Sequence, residues 1–316
     1  MAGDSLHVAS TFAMATTITI SVPIDEASAG SGAITRALDV FHEVQSECTR
    51  FDPASPLSRA NATPRRRHRL PGYLYAALRE AYDAYRDSEG LFDPRVITHL
   101  TSMGYDGSLR FDPSASTPRV HGEFGPPLHQ VWRPEFKDAR RDAWLGEAVD
   151  LGGIGKGLAV RWASDVLDGA FSSFIVEAGG DCYLKGVAPD GQPWRVGVED
   201  PRGGESPVAV LAIDSRAVAT SSIRRRRWKL GDDQVHHLID PRSGRPGGTG
   251  LLSVTVVGPD PARAEVASKV LFLAGLSGVA SAARRHSWAA LWCDTSGRVE
   301  TSTAMSPYVV WEEARA

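Results

Sequence analysis

The sequence predicts an α+β fold, in which mixed and antiparallel sheets pack with helices in a single unit. Three observations lead there. Short apolar or β-branched runs bounded by glycine and proline turns recur through the second half of the chain. A few longer stretches instead carry apolar residues at helical spacing. No clear repeat, low-complexity tract or linker divides the 316 residues. The expected unit is therefore 1–316, with an N-terminal part at 10–110, Gly/Pro-rich loops at 90–140 and a core at 145–300.

The elements follow in order. Thr16 to Val22 alternates apolar and hydroxyl residues, as a strand does. Ile34, Leu38, Phe41, Val44 and Cys48 share one helical face, so a helix runs to about Thr49. Phe51 to Asn61 carries two prolines and reads as a loop, and the basic run Pro64 to Arg69 as a solvated one. A second helix covers Gly72 to Asp87, and Gly90 to Arg140 reads as long, ordered loops. Ala148 to Leu151 ends a strand, and Lys156 to Leu167 is a helix. Strands are expected at Ser173–Glu177, Trp194–Glu199, Val208–Ile213, Val218–Ala219, Trp228–Leu230, Leu252–Val257 and Trp288–Cys293. Between the last two, Ala264 to Gly275 (AEVASKVLFLAG) reads as a helix ending at a glycine.

Composition excludes several classes. With 42% hydrophobic and 23% charged residues the chain is ordinary globular material. A formal charge of −3 gives no general attraction to nucleic acid or anionic membrane. Cys48, Cys182 and Cys293 lie far apart without CxxC spacing, which argues against a disulfide framework and a structural zinc site. There is no export-signal pattern at the start and no apolar run of membrane-spanning length, so the expected location is the cytoplasm.

Three segments stand out chemically. In Ala148 to Ala159 (AVDLGGIGKGLA) a strand ends in Asp150, a glycine-rich turn follows, and a helix begins with Lys156. Such turns let a ligand approach the backbone, and helix N-terminal amides favour anions. It is not a P-loop, because Asp150 and Gly157 stand where glycine and a hydroxyl residue are needed, and its GxGxG spacing is not the dinucleotide fingerprint. Either ligand binding or a bare tight turn accounts for it. The second segment is His236 to Pro246 (HHLIDPRSGRP), where adjacent strand histidines face opposite ways and so do not readily share one ion. The third is Ala217 to Ser222 (AVATSS), leading into Arg224 to Arg227; in an extended segment these arginines split between two faces, and nucleic-acid binding is not the reading taken.

These segments, with AMAT (Ala13 to Thr16), FDPASPLSRAN, FDPRV (Phe92 to Val96), AGGD (Ala178 to Asp181), WRVGVEDP (Trp194 to Pro201) and AEVASKVLFLAG, stand in one order. Together they resemble the FAD:protein FMN transferase family (ApbE-like) over roughly Phe12 to Gly275. The resemblance implies a T-fold-like unit around an FAD cleft. It also implies cleavage of the FAD pyrophosphate, aided by Mg²⁺, and attachment of FMN to a threonine or serine hydroxyl of an acceptor protein, with AMP released. A flavin-binding carrier or assembly protein without transferase activity, and a plain FAD pyrophosphatase, are the alternatives.

By position in the family's motifs, Met14, Phe51, Leu91, Phe92, Asp93, Asp150, Lys156, Leu238 and Ile239 fall among the FAD contacts. Lys156, at a helix start, suits a phosphate. His237 takes the place of the active-site histidine and is expected to help move the acceptor's proton. The metal ligands would be the carbonyl of Gly153 or its neighbour, and an Asp and a Thr four residues apart on the last helix. Here those two positions are Glu265 and Lys269. Glutamate keeps a carboxylate, but an ammonium has no lone pair for a cation. Lys269 is therefore expected to contact the diphosphate itself; weakened metal dependence, or a plain i,i+4 surface pair with Glu265, are the competing readings. AMAT for the usual AMGT adds a methyl where the backbone bends.

Overall fold

The computed structural model describes residues 5–107 and 118–312. Its central sheet has eight strands lying side by side in chain order: β1 (Leu6–Ala13), β2 (Thr16–Pro23), β3 (Phe174–Ala178), β4 (Asp181–Lys185), β5 (Arg216–Ser222), β6 (Leu251–Gly258), β7 (Ala289–Asp294) and β8 (Val299–Thr301). Every neighbouring pair is antiparallel. Smaller sheets surround it, one with a parallel pairing between Arg227–Leu230 and Arg119–Val120.

The period-two alternation of the strands decides what covers each face. Ile18, Ile20, Ala217, Ala219, Val254, Val256 and Trp292 point to one side, where the helices lie. There, α1 (Ser31–Cys48) packs on α4 (Gly155–Asp168), and α4 on α5 (Pro261–Leu273), which crosses β5 and β6. Val218, Val257 and Leu291 point the other way and bury against Trp194, Leu211 and Ile213 of a three-stranded sheet. A further core joins α2 (Pro56–Ala62) and α3 (Gly72–Asp87) to Trp132, Leu158 and Val266.

Some elements depart from expectation for local reasons. Phe51 to Asn61 is not all loop, because Ser55 caps α2 by accepting from the Ser58 amide at 3.0 Å while Pro56 fills the first helical turn. Arg67–Arg69 of the basic run pairs with Asp142–Trp144, and it is this segment, not Ala148–Leu151, that forms the strand. Within 90–140, Pro94–Val96 and Ile97–Ser102 are short helices, and the remainder that is described is largely irregular. The AEVASKVLFLAG helix begins earlier, capped by Asp260, and stops at Leu273. Gly275, at φ 69°, then turns the chain into α6 (Gly275–Arg285).

Candidate functional site

Helix α4 starts from the glycine-rich turn, and its first turn meets the N-terminal end of α5. The close approach requires Gly157, where a Cβ would lie 2.6 Å from the Pro261 carbonyl oxygen. Consequently the Gly157 amide reaches across and donates to Glu265 Oε2 at 2.8 Å. Lys156 Nζ lies 3.2 Å from Glu265 Oε1 and also contacts Asp181 Oδ2, whose other oxygen accepts from the Thr220 amide at 3.0 Å. Glu265 and Asp181 are each 3% exposed, so this is an internal ion cluster joining α4, α5 and the sheet.

Its electrostatics follow from burial and proximity. Burial opposes the Lys156 charge, but Asp181 and Glu265 outweigh it and hold the amine above its ordinary range. Burial likewise opposes the Glu265 charge, and Lys156 and Lys269 overcome it and hold the carboxyl below its usual value. Asp181 is pushed up, first by burial and then by Glu265, despite Lys156. The helix N-terminus expected to receive a phosphate thus already has its anion, the Glu265 carboxylate.

Next to the cluster opens a cavity of about 90 Å³, well below the roughly 300–1,000 Å³ of pockets that enclose a drug-sized ligand. It gathers, from distant segments, Phe51, Leu91, Phe92, Asp93, Asp150, Gly153, His237, Leu238, Ile239 and Lys269 of the sequence-derived set. Gly153 lies where a Cβ would meet the Phe92 ring at 2.9 Å and Lys269 Cε at 3.1 Å, so the lysine stem lies directly over the glycine turn. Met14, Lys156 and Glu265 do not line it. Met14 stands at the β1–β2 turn beside Gly155, and the other two are held in the ion cluster.

Arg50, Tyr105 and Arg226 also line the cavity, and none was singled out from sequence. Arg50 stacks its guanidinium 4.2 Å from the Phe51 ring centre, donates to the Tyr105 carbonyl at 2.7 Å and lies 3.4 Å from Asp150 Oδ1. Asp93 is taken by Arg95 in a buried two-pronged pair, with Nη2 to Oδ2 at 2.7 Å. Both cavity-lining carboxylates therefore have cation partners. Lys269 and Arg226 have no carboxylate within ion-pair reach among the described residues. Glu265, four residues before Lys269, pairs with Lys156 instead, so the i,i+4 surface pair does not form.

The two histidines part as alternation requires. His236 packs edge-on to Phe272, ring centres 5.9 Å apart, and burial pushes it down to about 4. His237 lines the cavity and is held well below 6.5, by burial first and then by Arg226 and Lys269. Its Nδ1 lies 3.3 Å from the Arg226 carbonyl oxygen. A carbonyl only accepts, so Nδ1 carries the proton and Nε2 keeps its lone pair.

The model of the ApbE family matches residues 14–292, which embraces every segment just described. The chain belongs to the ApbE family. It is 30% identical over 266 residues to an FAD:protein FMN transferase of Haemophilus influenzae, covering 77% of this chain and 75% of that one. With the FAD:protein FMN transferase of Salmonella typhimurium it shares 31% identity over 161 residues, 50% of this chain and 46% of that relative; in that match the chain spans about half the relative's length. The fold is that of the ApbE protein of Thermotoga maritima, with a TM-score of 0.80, 25% identity, and coverage of 96% of this chain and 99% of that one. The antiparallel sheets and packed helices expected from sequence are thus the ApbE architecture. Among the described residues no helix is long and apolar enough to cross a membrane.

An ApbE-like sequence raises the question of Mg²⁺ at Gly153 and Glu265. The residues present do not fit it. Both Glu265 oxygens already accept, from Lys156 and from the Gly157 amide, and Lys269 puts a second amine beside the glycine turn. No cluster of three or more His, Cys, Asp or Glu suited to a metal occurs among the described residues.

Proposed function

We propose that the chain is an FAD:protein FMN transferase acting through this cavity. The observation that carries the reading is a neutral, tautomer-fixed His237 beside two cations, Lys269 and Arg226, that lack carboxylate partners. Family membership and the names of its relatives support the same reading.

Transfer of FMN from FAD is a substitution at phosphorus, in which the protein positions the groups and offsets charge. The flavin-side phosphorus is attacked by a serine or threonine hydroxyl of the acceptor protein. A new O–P bond forms, the bond to the adenylate breaks, and AMP leaves. His237 Nε2 takes the hydroxyl proton and returns it to solvent. A base held this low is weak, but an arriving diphosphate offsets Lys269 and Arg226 and thereby strengthens it. Lys269 and Arg226 face the phosphates, while Phe51, 50% exposed at the rim, offers a ring for flavin or adenine. The enclosed space is too small for a dinucleotide, so its two ends lie along the open mouth.

The decisive experiment incubates the purified chain with FAD and a candidate acceptor, following intact protein mass and nucleotide products. A mass increase of one FMN on the acceptor, with AMP released, is the expected result. Free FMN and AMP alone mark a pyrophosphatase, and bound intact FAD alone marks a carrier; either overturns the transferase reading.

A further inference from the structure

We infer that Lys269 is a built-in cation for the diphosphate, so that this chain binds FAD without a divalent metal ion. The inference rests on the flavin reading above and goes beyond it, because it concerns what neutralises the phosphates.

Charge and position argue for it together. Asp181 and Glu265 are buried beside the start of α4, and Lys156 already sits between them. Lys269, one turn further along α5, is a second amine outside ion-pair reach of both carboxylates, and burial first, then Lys156, holds it below the ordinary lysine range against the pull of Glu265 and Asp181. A divalent cation there would meet two ammoniums at short range in a poorly solvated place, where like charges repel strongly. A dinucleotide diphosphate has the opposite character, with one negative charge on each phosphate.

The placement of the amine is also fixed. The Lys269 stem lies against Gly153, its Cε 3.1 Å from where a Cβ would be, so a side chain at residue 153 would displace it. On the cavity wall Asp93 is bound to Arg95, and Asp150 faces Arg50. Neither is left to draw Lys269 away, and Arg226 flanks the same space. The cavity therefore presents two cations without partners among the described residues. That is a preformed receptor for an oxyanion.

The test titrates FAD and riboflavin into the purified chain, once in EDTA and once in Mg²⁺, following flavin fluorescence. FAD should bind with the same affinity, within about twofold, in both buffers. Lys269→Met should weaken FAD by about tenfold or more, as loss of a charge-assisted contact does, and leave riboflavin, which has no phosphate, unchanged. Lys269→Arg, which keeps the charge, should retain FAD binding. FAD binding that appears only with Mg²⁺ overturns the inference and leaves the flavin reading standing; so does a Lys269→Met protein that binds FAD as wild type does. If neither flavin binds in either buffer, the flavin reading itself fails and takes the inference with it. The comparison of buffers needs only the wild-type chain, so it decides even if a variant does not fold.

Discussion

One turn apart on α5, Glu265 and Lys269 carry opposite charges into the interior, yet they meet opposite fates. Glu265 ends in a closed cluster, with both oxygens occupied by Lys156 and the Gly157 amide. Lys269 ends at a cavity wall with no carboxylate partner among the described residues. Both positions cost desolvation. In the first the cost is offset within the fold, so the group holds helices together. In the second Glu265 and Asp181 attract the amine only from beyond ion-pair reach, and the proposed diphosphate would supply the rest of the offset. The state of satisfaction, more than residue type or burial, separates a structural charge from a functional one.

The comparison is broken most forcefully by removing the amine at the centre of the closed side. Lys156→Met leaves Asp181 and Glu265 buried without their cation, which should destabilise the protein by about 3–5 kcal/mol in urea unfolding. The loss should shrink as pH falls and the carboxylates protonate. A loss under about 1 kcal/mol at neutral pH would mean that the cluster is not closed, and that Lys156 is free to face a ligand after all.

A smaller effect distinguishes the adjacent histidines. His236 is pushed from 6.5 down to about 4 in the folded state by burial. Between those values the unfolded chain takes up a proton that the folded one refuses. Its contribution is therefore intact above pH 6.5 and is lost as pH falls toward 4, on the order of 3 kcal/mol. His237 is lowered too and adds a slope of the same sign. Stability measured from pH 7.5 to 4 should flatten in His236→Gln. An unchanged slope would place the His236 ring in water instead of against Phe272.

On the open side, Phe51 is the exposed aromatic of the cavity rim and Arg50 covers one of its faces. Phe51→Ala should weaken FAD roughly three- to tenfold, about 1 kcal/mol, while thermal stability moves little. Unaltered affinity together with lowered stability would assign the ring to packing alone.

Much of this was legible in the sequence, and the exceptions have causes. Strands such as Thr16–Pro23 and the helix Gly72–Asp87 carry the periodicity of their own burial, so pattern reading finds them. Helix Pro56–Ala62 hid behind two prolines, one of which, Pro56, starts it. β4 was missed because Asp181 and Cys182 break no pattern until Lys156 and Val218 are placed opposite them. In the site, motif order brought Phe92, Asp150, His237 and Lys269 to attention, and the fold gathers them around one cavity. Pairing was not legible. That Lys156 turns from the cavity to Asp181, and that Glu265 chooses Lys156 over its helical neighbour Lys269, depends on how closely α4 and α5 approach at Gly157. Arg50 drew no notice, and Arg226 stood out only within the run Arg224 to Arg227, for a similar reason: nothing local in an arginine distinguishes a cavity wall from a solvated surface.

The smallest effect lies outside both charge sets, at the turn that joins β1 to β2. Met14 and Ala15 adopt φ 53° and 60°, a left-handed pair that closes the hairpin between Ala13 and Thr16. A side chain in that conformation costs roughly 1–2 kcal/mol, because Cβ crowds the following carbonyl oxygen. Glycine at residue 15 removes the crowding but adds freedom to the unfolded chain, worth roughly 0.5–1 kcal/mol in the other direction. Ala15→Gly should therefore stabilise the protein by about 0.5–1 kcal/mol, read as a rise in the urea midpoint at constant slope. FAD affinity should not change, because the hairpin turn does not line the cavity. Tighter FAD binding without added stability would instead put the Met14 turn in contact with the ligand, and would extend the open side of the molecule across to β1.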